Sequence, residues 1–275
     1  MKSIFIILIF WFAYSQQGYA QDTYQTFRTE MSRIEKQEQE LRQILWGKNE
    51  LAQAHRDSVY QIYKVLVNDK KDFALKAVHN NPGDKRFLKV LDIYVRNFLS
   101  LDEFETELRH FTPEVQQTDE CQKNFKFIEY AKQMQIGKPY TDFEMKGHQD
   151  EKIILSKILK KNKVVLIDFW ASWCGACRAS LPHLKSIYET YRKDGLEIVS
   201  VSLDDKKADW DKAYQQEKLP WIDGSNLLGW QDPLTLKYAI RGIPHQVLID
   251  HKGIIQGTEF YEYGSLEKAL DKCLK

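Results

Sequence analysis

The fold class this sequence predicts is an α/β layer built around a sheet, preceded by an all-helical segment, and three observations predict it. Apolar residues recur at three-and-four spacing up to about residue 136, and after Gly137-Lys138-Pro139 short β-rich runs alternate with helical ones. Residues 163–170 form a run that is apolar from Val164 to Trp170 apart from Asp168, as expected of a strand covered on both faces. Composition supplies the third observation, because 275 residues with 43% apolar and 13% aromatic content suffice for about two domains with a buried core. The 40 Lys+Arg against 39 Asp+Glu leave a formal charge of +1, which sets disorder aside and lends no support to a nucleic-acid or anionic-membrane partner.

The chain opens on residues 4–14, eleven nearly uninterrupted apolar or aromatic positions behind the single charge of Lys2. With Gly18 and Ala20 flanking a cut, residues 1–20 read as a secretory signal peptide. Ala13-Tyr14-Ser15 offers a second small-x-small site, and no Cys follows either cut to accept a lipid. An uncleaved anchor is the alternative, but eleven residues fall short of the roughly 20 that span a bilayer. The mature chain is therefore expected to be exported, in a periplasm-like compartment, and soluble. Thiols there tend to be oxidised, so any cysteine pair must be read as a possible disulfide.

Residues 21–136 read as a helical N-terminal domain. Met31, Ile34, Leu41, Ile44 and Leu45, then Val59, Ile62, Tyr63 and Leu66, follow helical spacing. Gly47, residues 80–83 (NNPG) and Thr112-Pro113 punctuate it into several helices. The charge run 35–40 (EKQEQE) is expected to be a solvated helix face.

Residues 137–275 read as the α/β domain. The strand at 163–170 is followed by a helix at 175–192, a strand at 196–203, a helix around 206–218 and a short helix around 233–239. Residues 245–250 and 253–257 look like a hairpin turning at 250–253, and 265–274 closes the chain as a helix with Ser265 as a plausible N-cap.

Cys174-Gly175-Ala176-Cys177 lies where the buried strand gives way to the helix, so Cys174 is expected at a helix N-terminus. Unpaired N–H groups and the helix dipole stabilise a thiolate there, the form that attacks disulfides. Cys174 is thus read as the nucleophile. Cys177, one helical turn on, can attack the resulting mixed disulfide and release the partner reduced. A zinc site would need two further ligands, and neither a second C-x-x-C nor a paired His motif occurs, so no metal or other cofactor is expected. A purely structural disulfide would close a very short loop and stabilise little. Asp168, six residues before Cys174 in an apolar strand, is costly there unless it has a role. A raised pKa would let it take the Cys177 proton. Ile243-Pro244 precedes a β-rich run, where proline is unusual outside an edge, a bulge or a cis bond.

Together these residues resemble the thioredoxin superfamily, whose fold is a central mixed sheet flanked by helices. Residues 165–177 (VLIDFWASWCGAC) look like its active-site stretch, Pro182 matches the proline of its active-site helix, and residues 240–244 (IRGIP) match its cis-proline loop. The lead-in 137–143 (GKPYTDF) and residues 248–253 (LIDHKG) look more like the exported TlpA/ResA-type branch. The resemblance covers about 137–275. It implies a cis Pro244 lining a groove where a client's extended segment pairs beside Cys174, with Ile243, Trp173 and His245 around it. It also implies that Asp168 is the buried carboxylate and that a membrane thiol donor keeps the protein reduced. Disulfide-containing client proteins are the implied partners. Ala176 departs from the common Pro between the cysteines, and His245 from the small Thr usual after the cis-Pro. Trp173 is expected to shield the disulfide or simply to pack, and an ordinary surface role for His245 stands beside its substrate role.

The function expected is therefore a thiol-disulfide oxidoreductase that reduces disulfides in periplasmic clients. A non-catalytic adaptor on the same scaffold is the alternative from another class. Thiol peroxidase is less favoured, because a P-x-x-x-T-x-x-C pattern fails: Ile167 and Ala171 precede Cys174 at the required positions, and Trp170 and Cys174 precede Cys177. Cys121 and Cys273 are expected to be free thiols, an interdomain disulfide being the alternative. Oligomeric state is not legible.

Overall fold

The computed structural model describes residues 22–47, 52–260, 262 and 264–274, so the apolar run at 1–20 and its expected cleavage sites lie outside the described residues. Among the described residues no helix is long and apolar enough to cross a membrane. The chain divides into two compact units, Met1–Leu99 with Arg109–Gln116, and Ser100–Leu108 with Gln117–Lys275. The stretches 100–108 and 117–136 therefore cluster with the sheet, whereas the change of sequence rhythm falls at 137.

In the first unit α1 (Thr23–Trp46) packs against α2 (Gln53–Asn80), and α3 (Arg86–Val90) runs on through a π turn (Leu91–Val95) and a 3-10 turn (Arg96–Phe98). α4 (Leu101–His110) gives its last two residues to this unit, and α5 (Pro113–Gln116) begins on the proline that marks its start in the sequence. The core is aromatic: Phe27 stacks on Phe73 at 5.5 Å and meets Phe87 at 5.7 Å. Met31 and Leu45 face inward on the same stripe, and Glu38 lies seven residues from each. The run 35–40 is thus a solvated face with one exception, since Glu38 is buried, bonded to Lys70 and to Arg42 Nε at 3.0 Å. Burial would raise its carboxyl, but Lys70 and Arg42 outweigh that and hold it below its usual value. Ile44 and Ile62 are exposed despite their helical spacing, because the buried face of α1 is Phe27, Met31, Glu38 and Leu45 and that of α2 is Val59, Ala74 and Val78.

The second unit is the α/β fold that the sequence predicts, thioredoxin-like in its mixed sheet. It takes most of α4, α6 (Asp119–Gln133), β1 (Glu144–Lys146), β2 (Lys152–Ile154), α7 (Leu155–Leu159), β3 (Val164–Trp170), α8 (Gly175–Tyr191), β4 (Leu196–Ser202), α9 (Lys207–Glu217), β5 (Ile222–Ser225), α10 (Pro233–Lys237), β6 (His245–Asp250), β7 (Ile255–Thr258) and α11 (Ser265–Leu274). Strand order is β2-β1-β5-β4-β3-β6-β7. β3 pairs parallel with β4 and antiparallel with β6, β4 parallel with β5, and the outer pairs are antiparallel. Every residue of β3 is buried, which is why its sequence is continuously apolar.

Two local features differ from the sequence reading. β1, β2, α7 and β5, three to five residues each, are too short to show a period; β5 (Ile222-Asp223-Gly224-Ser225) is buried because Gly224 lies under Met145, where a Cβ would come 2.7 Å from the Met145 Cε. Ser265 is the first residue of α11, not its cap. Its hydroxyl donates to the Glu262 carbonyl at 2.6 Å, and the first helical bond runs from Lys268 N to the Gly264 carbonyl.

Gly195 joins the α8 end to β4 at φ 116°, with the Lys163 and Val164 N–H groups both donating to its carbonyl. A side chain there is strained and would also meet Lys163 Cγ at 2.8 Å. Gly195→Ala is expected to destabilise the chain by about 2 kcal/mol. Urea unfolding reads this as a lower midpoint at unchanged slope, and an unchanged midpoint would refute it.

Candidate active site

β3 ends at Trp170, and a four-residue turn carries the chain to Cys174, the N-cap of α8. The turn is held from both sides. Cys174 N donates to the Ala171 carbonyl at 3.1 Å, and Ser172 N donates to Asp204 Oδ2 at 2.9 Å. The Ser202 hydroxyl, at the end of β4, donates to the same Asp204 oxygen at 2.7 Å. Asp204 is buried just past that strand and fixes the turn to the sheet.

Cys174 and Cys177 form a disulfide, S–S 2.08 Å, with Cα atoms 5.3 Å apart. Both cysteines are buried, Cys174 retaining 7% of its surface and Cys177 1%, so Cys174 is the less deeply buried of the two. The Cys177 N–H donates to Cys174 Sγ at 3.1 Å, one of the orphan donors at the α8 N-terminus. Such donors, with the helix dipole, favour negative charge on that sulfur once it is reduced. Pro182 lies inside α8.

The Ile243-Pro244 peptide is cis. Its loop sits against the disulfide, with the Ile243 carbonyl oxygen 3.6 Å from Cys174 Sγ, and both residues are half-buried. Trp173 is 55% exposed and 6.4 Å from the Trp230 ring, so it does not pack into the core. His245 turns inward: it is 7% exposed, against Phe169 and with Nδ1 3.3 Å from Glu259 Oε1. The cis-proline loop is steadied from behind by Arg241, whose guanidinium lies 4.0 Å from the Phe127 ring centroid of α6.

Asp168 is buried in the middle of β3. Gln246 Nε2, from the residue paired with it on β6, donates to Asp168 Oδ1 at 3.2 Å. Burial pushes its carboxyl up to about 7; the bonds from Gln246 and Ser200 oppose this, and the charge of Asp223 adds to it. Ser200 and Asp223 are its register partners on β4 and β5.

Asp223 is the centre of a second buried polar group. Its Oδ1 accepts from Trp170 Nε1 at 2.8 Å and its Oδ2 from Trp210 Nε1 at 2.7 Å. His148 Nε2 lies 2.9 Å from Oδ2, and its Nδ1 2.7 Å from Asp211. The imidazole is stacked between Trp210 and Tyr214, each at 3.9 Å. Burial would lower its pKa, but the two carboxylates outweigh that and raise it. Sequence reasoning found Asp168 and the cysteines but not Asp204, Gln246, Ser200, Asp223 or His148. Only Gln246 carried a signal, because a hairpin strand starting at His245 places it beside Asp168.

Among the described residues no group of three or more His, Cys, Asp or Glu could hold a metal ion. Cys121 and Cys273 are free thiols, and burial pushes Cys121 up to about 11.

A dithiol pair at a helix N-terminus beside a cis-proline loop, following a strand that carries a buried carboxyl, defines a thiol-disulfide exchange protein. A family model described as thioredoxin-like matches residues 162–255. The thiol-disulfide oxidoreductase ResA of Bacillus cereus (strain ATCC 10987 / NRS 248) is 31% identical over 127 residues, 46% of this chain and 70% of that protein. ResA of Geobacillus kaustophilus is 29% identical over 130 residues, 45% of this chain and 70% of that one. Among solved structures, the thioredoxin domain of a thiol-disulfide oxidoreductase from Bacteroides vulgatus is similar at 28% identity and TM-score 0.45, over 50% of this chain and 98% of that one. The chain belongs to the ResA family of thioredoxin-like thiol-disulfide oxidoreductases. It is an enzyme of that class.

The raised carboxyl has a consequence for stability. Between pH 3.8, where the unfolded Asp168 ionises, and about 7, the folded chain keeps a proton that the unfolded chain has released. Stability therefore falls as pH rises through that window. The oxidised Asp168→Asn variant is expected to match the parent at the acid end and exceed it by at most about 4 kcal/mol above the window. Urea unfolding at both ends measures this, and a pH-independent difference would contradict it.

Proposed function

We propose that this enzyme is exported and reduces disulfides in client proteins of a periplasm-like compartment, cycling between the Cys174/Cys177 dithiol and their disulfide. The observation that carries the reading is the placement of Cys174 at the α8 N-terminus, partly exposed against the Ile243-Pro244 loop, with Cys177 buried behind it. Export rests on the apolar run at 4–14.

The Cys174 thiolate attacks one sulfur of a client disulfide and forms a mixed disulfide, while the other client sulfur leaves as thiolate and takes a proton from solvent. Cys177 then gives its proton to Asp168 and its sulfur attacks Cys174. The Cys174–Cys177 disulfide forms, and the second client sulfur departs as thiolate. Two electrons have passed to the client, whose second thiolate, like the first, takes its proton from solvent while Asp168 holds the proton Cys177 gave up, and a membrane thiol donor returns the electrons to the enzyme. Trp173, Ile243 and Pro244 line the client groove; His245, turned toward Glu259, supports its floor. The helical region 21–136 serves as a docking or dimerisation element, and 137–275 carries the chemistry.

The assignment of roles is tested by trapping. Cys177→Ala is expected to accumulate client complexes through Cys174 that dithiothreitol releases, and Cys174→Ser to trap none and reduce nothing. Complexes on the Cys174 variant alone would invert the roles.

The direction of electron flow follows from the dipeptide between the cysteines. Gly175-Ala176 supplies neither charge nor a donor side chain, leaving the helix terminus as the main support for the Cys174 thiolate. The reduced form is then less favoured than in a dedicated oxidant. Equilibration with glutathione is expected to give a potential nearer ~−270 mV than ~−120 mV; a value above about −180 mV would make the protein an oxidant.

A further inference from the structure

Asp168, Ser200 and Asp223 stand in register on three adjacent strands, β3, β4 and β5. Directly paired residues project from the same face, so Asp223 lies on the Asp168 row about 10 Å away, two strand spacings. Ser200 stands between them in the register, fully buried, and its hydroxyl accepts from Trp221 Nε1 at 2.8 Å and bonds Asp168. With that hydroxyl engaged on Trp221 and Asp168, Asp223 reaches Asp168 through space, in surroundings that screen charge poorly.

Burial raises the Asp223 carboxyl above its usual value, and what favours its anion against that burial is that both oxygens face N–H donors, Trp170 on one and Trp210 with His148 on the other. His148 bears the opposite charge for a matching reason. Each ring nitrogen faces a carboxylate, and a neutral imidazole could donate to only one of them. Side-chain exposure rises outward along this group: 0% for Asp223, 19% for His148, 34% for Asp211 and 43% for Lys207. Lys207 Nζ caps it, 2.9 Å from Asp211 Oδ2 and 3.0 Å from the His148 carbonyl oxygen. The groups facing Asp168 are Gln246 from β6, Ser200 from β4 and Asp223 from β5. Those facing His148 are Asp211, Trp210 and Tyr214 from α9 and Asp223 from β5, with Trp170 of β3 on the far side of Asp223.

We propose that Asp223 and His148 are positioning residues that act on Asp168 by electrostatics: the buried Asp223 anion favours a protonated Asp168, and the His148 cation limits that effect. The charge on Asp223 does raise the Asp168 carboxyl, in the direction this requires. The proposal deepens the function above and rests, for its catalytic meaning, on Asp168 accepting the Cys177 proton. The proton on His148 exchanges with solvent at the α9 surface, so the state of the interior carboxyl is adjusted from outside the client groove.

The test is a carboxyl titration of the oxidised full chain, labelled with 13C at aspartate side chains, the Asp168 resonance being assigned by its loss in Asp168→Asn. Asp223→Asn removes the anion and is expected to lower the Asp168 midpoint by about one pH unit, the effect of a unit charge at that distance and an effective dielectric constant of about 20. His148→Gln keeps an N–H donor, removes the compensating cation and is expected to raise the midpoint. Midpoints unmoved in both variants, or moved the same way by both, overturn the inference. Should Asp223→Asn fail to fold, His148→Gln decides alone, with a rise in support and no change or a fall against. The pH profile of client disulfide reduction on the same proteins separates the two readings. If the midpoint moves and the profile does not follow, Asp168 is not the proton acceptor, while its control by Asp223 and His148 stands.

Discussion

A strand with no exposed residue cannot leave a polar atom unmatched, and β3 carries two such groups, the Asp168 carboxyl and the Trp170 indole. Much of the second unit is arranged to satisfy them. Asp168 draws Gln246 and Ser200 from the strands on either side, and Trp170 draws Asp223 from β5. Asp223 in turn recruits Trp210 and His148, which ties α9 and the segment after β1 to the sheet. Satisfying these groups fixes which side chains can occupy the strands that carry the turn to Cys174.

The reactive sulfur depends on two stretches of chain far apart in sequence. Asp204 pins the turn before Cys174, and the Ile243-Pro244 loop approaches from the other side, itself backed by the Arg241 contact with Phe127. α8 contributes its N-terminus and its first turn, which hides Cys177 while leaving part of Cys174 open. One cysteine less deeply buried than the other is the asymmetry that the proposed exchange uses, because it would order the two attacks.

What could be read from the chain beforehand follows from how local each signal was. β3, α8, β4, α9 and the β6–β7 hairpin are built from runs whose period or continuous apolarity is set by their own burial, so their sequences announce them. β5 holds a single large apolar residue and is buried because Gly224 accommodates Met145 from β1, a fact of the neighbour and not of the segment. Glu38 looked like part of a solvated run because its partner Lys70 lies on another helix. The same reason hid Asp204, Asp223 and His148: each gains its meaning from residues tens of positions away, brought together by strand register. Cys174, Cys177 and Asp168 were visible because the strand, the turn and the helix that define them are contiguous.

Cys121 has a consequence for how the chain matures. It emerges from the ribosome before Cys174 and Cys177, and in the folded protein it is fully buried in α6 with its thiol pushed up to about 11, so almost none of it is thiolate. In the unfolded chain it is an ordinary competitor for either active cysteine. Packing of α6 thus works as a protecting group that is applied by folding, taking this thiol out of exchange with the Cys174–Cys177 pair.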